Sequence, residues 1–173
     1  MKIAEGLDNW TTDFQNRWLK EFNKHNRINW NVYSYIKNNN SPQSTGIDLS
    51  KNKLLLISSA GGYLSSNDTP FDASNPLGDY SIRTFSVSTN FNNIGYSHDH
   101  YDTTAVKQDA QVLLPFHHLK SMVEEKLIGE LCNTVISFMG YQPNVNNVIT
   151  KTIPAILDIV MQEKVDAVLL VPS

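Results

Sequence analysis

Val165-Asp166-Ala167-Val168-Leu169-Leu170-Val171-Pro172-Ser173 is the stretch on which the fold reading turns. Apolar residues run without a break from Ala167 to Val171 and meet a proline, the form of a buried strand. Upstream, Ile149, Ile153, Ile156, Leu157 and Val160 recur at the three-to-four residue stride of an amphipathic helix, and a short charged turn joins the two. Helix, turn and buried parallel strand form the repeating unit of an open α/β sheet. In such sheets ligands and catalytic groups gather just beyond the carboxyl ends of the strands. Ser173 therefore stands where chemistry is expected.

A second strand is predicted at Lys53-Leu54-Leu55-Leu56-Ile57, a continuous apolar run that enters Ser58-Ser59-Ala60-Gly61-Gly62. Glycine in that turn lets the backbone approach a ligand closely, so Gly61 and Gly62 are candidate substrate-binding residues. Ala-Gly-Gly lacks the spacing of a dinucleotide fingerprint or a phosphate loop, and a plain tight turn is the competing reading. Residues 67–79 hold Pro70, Pro76 and Gly78 and read as a long loop. Tyr80 to Val87 alternates as a strand, with Arg83 its one charge. Arg83 is either a solvated strand residue or a carboxylate clamp.

Between Asp8 and His25, Trp10, Phe14, Trp18, Leu19 and Phe22 follow helical spacing, with Asp8, Thr11 or Thr12 as the N-cap. The stride makes these aromatics core residues rather than a stacking platform for a nucleotide. Residues 38–50, rich in Asn and Ser, read as a surface loop. Val112 to Phe116 is a short strand or loop ending at Pro115, and His117 to Lys126 is a helix that Gly129 ends. His117 and His118 at its start read as half-exposed, non-catalytic histidines. Leu131 to Gly140 is mostly apolar; Cys132 within it reads as a small hydrophobe and not a nucleophile. Ser137 lacks the Gly-x-Ser-x-Gly elbow of a serine hydrolase.

Composition narrows the function classes. The chain has 173 residues, 40% of them hydrophobic, enough for one α/β domain: residues 1–50 form a helix and an Asn-rich loop, and residues 51–173 the core. A net charge of −3 gives no surplus of cations to neutralise a phosphate backbone, so no nucleic-acid partner is expected. No apolar run reaches the roughly 20 residues of a membrane span and no signal-peptide core is present, so a cytoplasmic location without membrane attachment is expected. One cysteine excludes an internal disulfide.

The densest polar stretch is Ser97-His98-Asp99-His100-Tyr101-Asp102-Thr103-Thr104. If extended, it projects His98, His100 and Asp102 to one side and Asp99 and Tyr101 to the other. These residue types supply a general acid or base, an anion-binding group or metal ligands. Asp102 or Thr103 can also cap a helix starting near Thr103. No third strong ligand stands out in the sequence, so no metal is assigned.

Pro70-Phe71-Asp72, Gly78-Asp79-Tyr80-Ser81-Ile82-Arg83, Ser97-His98-Asp99-His100-Tyr101-Asp102-Thr103, Ile128-Gly129-Glu130-Leu131, Ser137-Phe138-Met139-Gly140-Tyr141 and Val165 to Pro172 resemble, in order, the selenoprotein B family of glycine, sarcosine, betaine and D-proline reductases. The resemblance covers residues 53–173. It implies a subunit of a reductase that cleaves a C–N bond beside a carboxylate, acting on a small amino acid with a partner subunit that carries a pyruvoyl group. The chain itself would hold no cofactor. His98, Asp99, His100, Tyr101 and Asp102 match a family motif and are the candidate catalytic residues.

The resemblance also places a selenocysteine or cysteine immediately after the strand ending at Ser173. Such a chalcogenolate gains stabilisation from the N-terminus of a following helix. Neither is present in these residues, and the readings are a stop at a selenocysteine codon or a natural or engineered truncation. The fold expected is a three-layer α/β domain with a mainly parallel sheet, Rossmann-like or flavodoxin-like, lacking its last βα unit. An exposed final strand would favour self-association, and a homo-oligomer is expected. The competing functions are a non-catalytic module binding a small anion or a partner, and a metal-dependent enzyme using His98, His100 and Asp102.

Overall fold

The computed structural model describes residues 4–40, 46–97 and 104–173. Its centre is a four-stranded sheet in the order β3-β5-β1-β6. These strands are β1 (Lys53–Ser58), β3 (Ile82–Ser86), β5 (Glu130–Phe138) and β6 (Ala167–Val171). β1 pairs in parallel with β5 on one side and with β6 on the other, while β3 closes the far side antiparallel to β5. A separate antiparallel pair, β2 (Gly62–Leu64) and β4 (Ile94–Tyr96), stands beside the sheet. The helices are α1 (Leu7–Asp13), α2 (Lys20–His25), α3 (Thr104–Gln108), α4 (Phe116–Glu124), α5 (Val145–Asn147) and α6 (Ile153–Gln162).

Alternation along β1 makes the three layers. Leu54 and Leu56 point to one face, where they join Phe85, Val135, Phe116, Leu119 and Ile128. Leu55 and Ile57 point to the other, joining Cys132 and Ile136 beneath Ile156, Ile159 and Val160 of α6. A strand covered on both faces has no polar side to present, which is why its sequence is a continuous apolar run. Burying Leu55 and Leu56, 0% and 1% exposed, contributes about 1.5–3 kcal/mol each. The sheet is mainly parallel with helices on both faces, as expected.

β5 is a strand that its sequence does not announce. Its register against β1 slips between Leu131 and Val135, a bulge that accommodates Cys132, Asn133 and Thr134. The Asn133 carbonyl accepts from Val87 N at 2.7 Å, extending the pairing past the end of β3.

Three expectations need correction. α1 takes no side-chain cap: Gly6, left-handed at φ 66°, is the N-cap, and the Thr11 and Thr12 hydroxyls bond back to Leu7 O and Asp8 O. α4 ends at Glu124, and Lys126, whose φ of 60° turns the chain two residues later, terminates it in place of Gly129. Gly129 is small for another reason: a Cβ there would sit 2.8 Å from Asn52 N. Of the strand or loop expected from Val112 to Phe116 the chain forms the loop, leaving a 3-10 turn at Ala110–Val112 and entering α4 at Phe116. Finally β6 is not buried. Its Ala167, Leu169 and Val171 pack inward, while Val168 and Leu170 are 45% and 58% exposed because α6 lies over β1 and β5 and stops short of them.

The amino-terminal helix is continuous, α1 running through a π-helical stretch, Phe14–Leu19, into α2. Its aromatics form a third cluster in which Trp10, Phe14 and Trp18 are buried with Val32, Tyr33, Ile36 and Val145. The helical stride was thus core spacing. Trp10 Nε1 donates to Ser34 O, and Asn146 Nδ2 donates to Thr11 Oγ1, fastening the helix to the returning chain and to α5. No helix among the described residues is long and apolar enough to cross a membrane.

Candidate active site at the carboxyl edge of the sheet

Adjacent strands β1 and β5 send their chains to opposite faces. After β1 the chain passes Ala60, which packs with the cluster of Leu54 and Leu56; after β5 it runs through residues 140–144 toward α6 on the other face. A crevice at such a point is where open α/β sheets place their ligands. Three segments border it here: Ser58 to Gly62, Met139 to Pro143, and Val171 to Ser173.

These segments are bound to one another through serines. Ser59 N donates to Val171 O, Ser173 N donates to Ser59 Oγ at 2.9 Å, and Ser173 Oγ donates to Ser59 O at 3.1 Å. Ser137 Oγ, fully buried, accepts from Gly62 N at 2.7 Å. Gly140 lies against the pair, the position of its missing Cβ being 3.5 Å from Ser59 Oγ and 3.6 Å from Ser173 Oγ. The end of β6 is therefore held at the turn that follows β1.

Gly61 and Gly62 are explained by the packing of the chain. Gly61 has φ 64°, and a Cβ there would lie 2.6 Å from Ser97 O and 2.9 Å from Met139 Sδ. Its N–H donates to Phe138 O, that of Gly62 to Ser137 Oγ, and that of Ala60 to Ser58 Oγ. These amides are committed within the chain, so the turn is not an anion-binding nest of the kind the small-anion reading requires.

Ser97 N donates to Gly61 O at 2.9 Å. Ser97 immediately precedes the candidate catalytic residues His98, Asp99, His100, Tyr101 and Asp102, which lie outside the described residues, as does the capping role of Asp102 and Thr103. Among the described residues no three His, Cys, Asp or Glu side chains gather to hold a metal ion. His117 and His118 are exposed at the start of α4, with His117 against the Phe91 ring.

Arg83 shares its face of β3 with Phe85 and reaches the long loop. Its guanidinium lies 4.4 Å over the Phe71 ring, its Nε donates to Thr69 O, and one terminal nitrogen donates to Ser81 Oγ and Ile82 O. Asp79 anchors the same loop. Burial raises its carboxyl, but hydrogen bonds from Ser81 and the Asp72 amide, with the Arg83 charge, outweigh that and hold it below the usual range. Cys132 is 1% exposed and burial pushes its thiol up, so it is poorly suited to act as a thiolate.

One feature at this edge went unread in the sequence. Trp30, Tyr33 and Tyr35 meet Gly140, Tyr141, Gln142 and Pro143 around a pocket of about 290 Å³. Tyr33 hydroxyl donates to Pro143 O, and Tyr141 hydroxyl to Pro76 O. Burial raises both phenols, which stay neutral. The charged cleft at the opposite, amino-terminal edge, where Lys53 pairs with Glu130 at 2.9 Å, lies at the end of the strands where ligands are not expected.

The profile of glycine/sarcosine/betaine reductase selenoprotein B matches residues 32–173. The chain belongs to this family. A curated relative, D-proline reductase subunit gamma of Acetoanaerobium sticklandii, is 30% identical over 115 residues, covering 66% of this chain and 46% of that protein. The chain thus spans about half the length of the curated relative it matches. No solved structure gives a significant match. The selenoprotein B match takes in all of the carboxyl-edge segments named above, and it begins inside the aromatic cluster, between Trp30 and Tyr33.

Proposed function

We propose that this chain is a selenoprotein B-like subunit of an amino-acid reductase that reductively cleaves the C–N bond beside a carboxylate, of the D-proline, glycine, betaine or sarcosine type. The observation that carries the reading is the family match over residues 32–173, whose shared segments converge on the crevice at the ends of β5, β1 and β6. For a substrate whose nitrogen is a primary or secondary amine (glycine, sarcosine, D-proline), a partner subunit carrying a pyruvoyl group supplies the carbonyl with which that amine condenses, releasing water; the quaternary nitrogen of betaine has no lone pair and takes no part in such a step.

The residues of this chain take the following parts. Ser59, bonded to Ser173, fixes where β6 ends, and the redox chalcogen, absent from these 173 residues, is presented from that end. His98, Asp99, His100, Tyr101 and Asp102, entered from Ser97 at Gly61, bind the substrate carboxylate or move protons to the departing amine. Arg83 secures the long loop through Phe71 and Thr69 and contributes positive potential beside the crevice. Gly61 and Gly62 shape its wall.

The test is reductive C–N cleavage by the full-length, chalcogen-containing protein assembled with its partner subunits and supplied with a dithiol reductant, read as released amine or, for D-proline, as ring opening. His98→Ala and His100→Ala are expected to lower turnover by about 10²–10⁴-fold, the usual weight of acid–base groups. Unchanged turnover in both variants overturns their role. Absence of C–N cleavage with all four substrates, read as released amine for glycine, sarcosine and betaine and as the ring-opened linear amino acid for D-proline, overturns the function. Sequencing past codon 173, with the intact mass of the native protein, identifies the chalcogen residue.

A further inference from the structure

The guanidinium of Arg83 is fixed in place without being neutralised. Arg83 pairs with Ser137 of β5, which pairs in turn with Ser58 of β1, so their side chains stand in a row on one face at the carboxyl ends of the two parallel strands. Ser58 and Ser137 are fully buried, and their hydroxyls accept from Ala60 N and Gly62 N. Arg83, at the outer end of the row, is half-buried. Its guanidinium carbon lies 4.4 Å over the buried Phe71 ring, Nε donates to Thr69 O, and Nη1 donates to Ser81 Oγ and Ile82 O, while Nη2 has no partner among the described residues. All three acceptors are neutral. No carboxylate among the described residues comes within ion-pair distance of Arg83. The carboxylates of the adjoining loop, Asp68, Asp72 and Asp79, accept instead from Leu64 N, Ser74 Oγ and Ser81 N. Tying β3 to that loop needs hydrogen bonds alone, which an uncharged amide side chain would supply. A permanent charge, partly removed from water, calls for an anion as well.

We infer that Arg83 receives the carboxylate of the substrate through Nη2 and the open edge of its guanidinium. The inference rests on the reductase reading and deepens it by assigning the residue that holds the substrate. The carboxylate is the group that glycine, sarcosine, betaine and D-proline have in common, whereas their nitrogens are primary, secondary or quaternary. Where the partner's carbonyl takes the nitrogen, this chain must hold the substrate by its other end. A guanidinium is planar, stays charged across the physiological range and matches the geometry of a carboxylate. Arg83 is also joined to the crevice: its pairing partner Ser137 accepts from Gly62 N, and Ser97, which leads into the candidate catalytic residues, donates to Gly61 O. With the carboxylate on Arg83, His98 and His100 are left to move protons.

The experiment has two arms, both on the full-length protein. In the first, isotope-labelled protein is titrated with sodium acetate and, at matched ionic strength, with acetamide in sodium chloride, and the arginine Nε–H resonances are followed by NMR. The Arg83 resonance, assigned by its loss from Arg83→Lys, is expected to shift saturably with acetate and to stay in place with acetamide, while those of the exposed Arg17 and Arg27 show no saturable shift. In the second, the assembled reductase is assayed on the substrate it cleaves. Arg83→Gln is expected to lower kcat/KM about 10- to 100-fold, the weight of hydrogen bonds to a charged group, with nearly all of the loss in KM, and Arg83→Lys to recover part of it. A role in holding the loop alone would lower the melting temperature and kcat and leave KM where it was. An Arg83 resonance that acetate does not move, or that acetamide moves equally, overturns the inference, as does an unchanged KM in Arg83→Gln. Those results together with cleavage by the wild type leave the reductase reading standing. A saturable acetate shift in an assembly that cleaves none of the four substrates does the reverse.

Discussion

Replacing Gly61 by alanine tests whether the crevice is built by backbone packing. Gly61 and Gly6 share a left-handed conformation, φ 64° and 66°, but a Cβ on Gly6 meets nothing within 4 Å, whereas one on Gly61 meets Ser97 O at 2.6 Å and Met139 Sδ at 2.9 Å. Both variants carry the left-handed strain of an L-residue, about 1–2 kcal/mol. Gly61→Ala must also displace Ser97, whose amide donates to Gly61 O at 2.9 Å, and loss of that bond adds about 1 kcal/mol. The expected totals are about 1–2 kcal/mol for Gly6→Ala and about 2–3 kcal/mol for Gly61→Ala. At about 2–4 °C per kcal/mol for a chain of this size, the second variant melts about 4–12 °C early. Far-UV circular dichroism during urea and thermal unfolding gives both values on one scale. If the two variants lose stability within about 0.5 kcal/mol of each other, the packing argument for Gly61 is wrong, and with it the idea that Ser97 is held to the end of β1.

Ser137→Ala strands the buried Gly62 N–H that its Oγ now satisfies, and should lower stability by about 1–3 kcal/mol; an unmoved urea midpoint refutes this. Cys132 should react with iodoacetamide in the native protein only at the rate of unfolding, and rapid labelling at pH 8 would show its burial to be wrong. Tyr80 has its pKa pushed from 10.0 up to about 12 by burial, and Tyr33 and Tyr141 move the same way. Over that window the unfolded chain has released protons that the folded one keeps, so stability is fully present below pH 10 and falls as pH rises toward 12; Tyr80→Phe should flatten the fall, and a slope identical to wild type refutes the assignment. Self-association through the uncovered face of β6 is expected to be reduced in sedimentation velocity by Leu170→Lys with stability nearly unchanged; a wild-type chain that sediments as a monomer, or a variant that associates as before, refutes this.

How far the sequence could be read follows from which physical signals are local. β1 was legible because a strand covered on both faces must be apolar throughout, and the aromatic helix because its stride is three to four residues. β5 was not, since Glu130, Asn133, Thr134 and Ser137 interrupt both periods, and the bulge after Leu131 changes which residues face inward. Ser137 in particular looks like a defect in an apolar run until the Gly62 amide it satisfies, 75 residues away in sequence, is in place. The same locality misplaced β6: five apolar residues specify a strand but not whether a helix covers both of its faces, and Val168 and Leu170 are the ones left out. Gly129 was assigned to a helix end because a glycine after a helix usually is one, yet its need is set by Asn52 across the sheet. The family motifs located Met139 to Tyr141, Ser97 and the end of β6, the apolar run and glycine turn located Ser58 to Gly62, and the bonding of Ser59 to Ser173 and of Ser97 to Gly61 brings these segments together.

The amino-terminal region carried the least information in sequence and acquires a function only through its contacts. Trp10, Phe14, Trp18 and Phe22 stack in succession with centroids 4.9, 5.3 and 5.8 Å apart, a rigid column along one side of the helix. Tyr33 stands edge-on to this column at Trp10, Phe14 and Trp18, and its hydroxyl reaches Pro143 O. The column therefore fixes the strap from Trp30 to Tyr35 against the chain leaving β5, across a separation of 110 residues between Tyr33 and Pro143. Aromatic side chains suit this part because they give large contact area with few rotatable bonds, so little conformational entropy opposes holding a pocket open. An aliphatic helix would have packed as well against Val145, but it would not have oriented Tyr33 edge-on or presented Trp30 as a wall. The residues before the sheet thus complete the carboxyl-edge crevice on the side that the strands leave open.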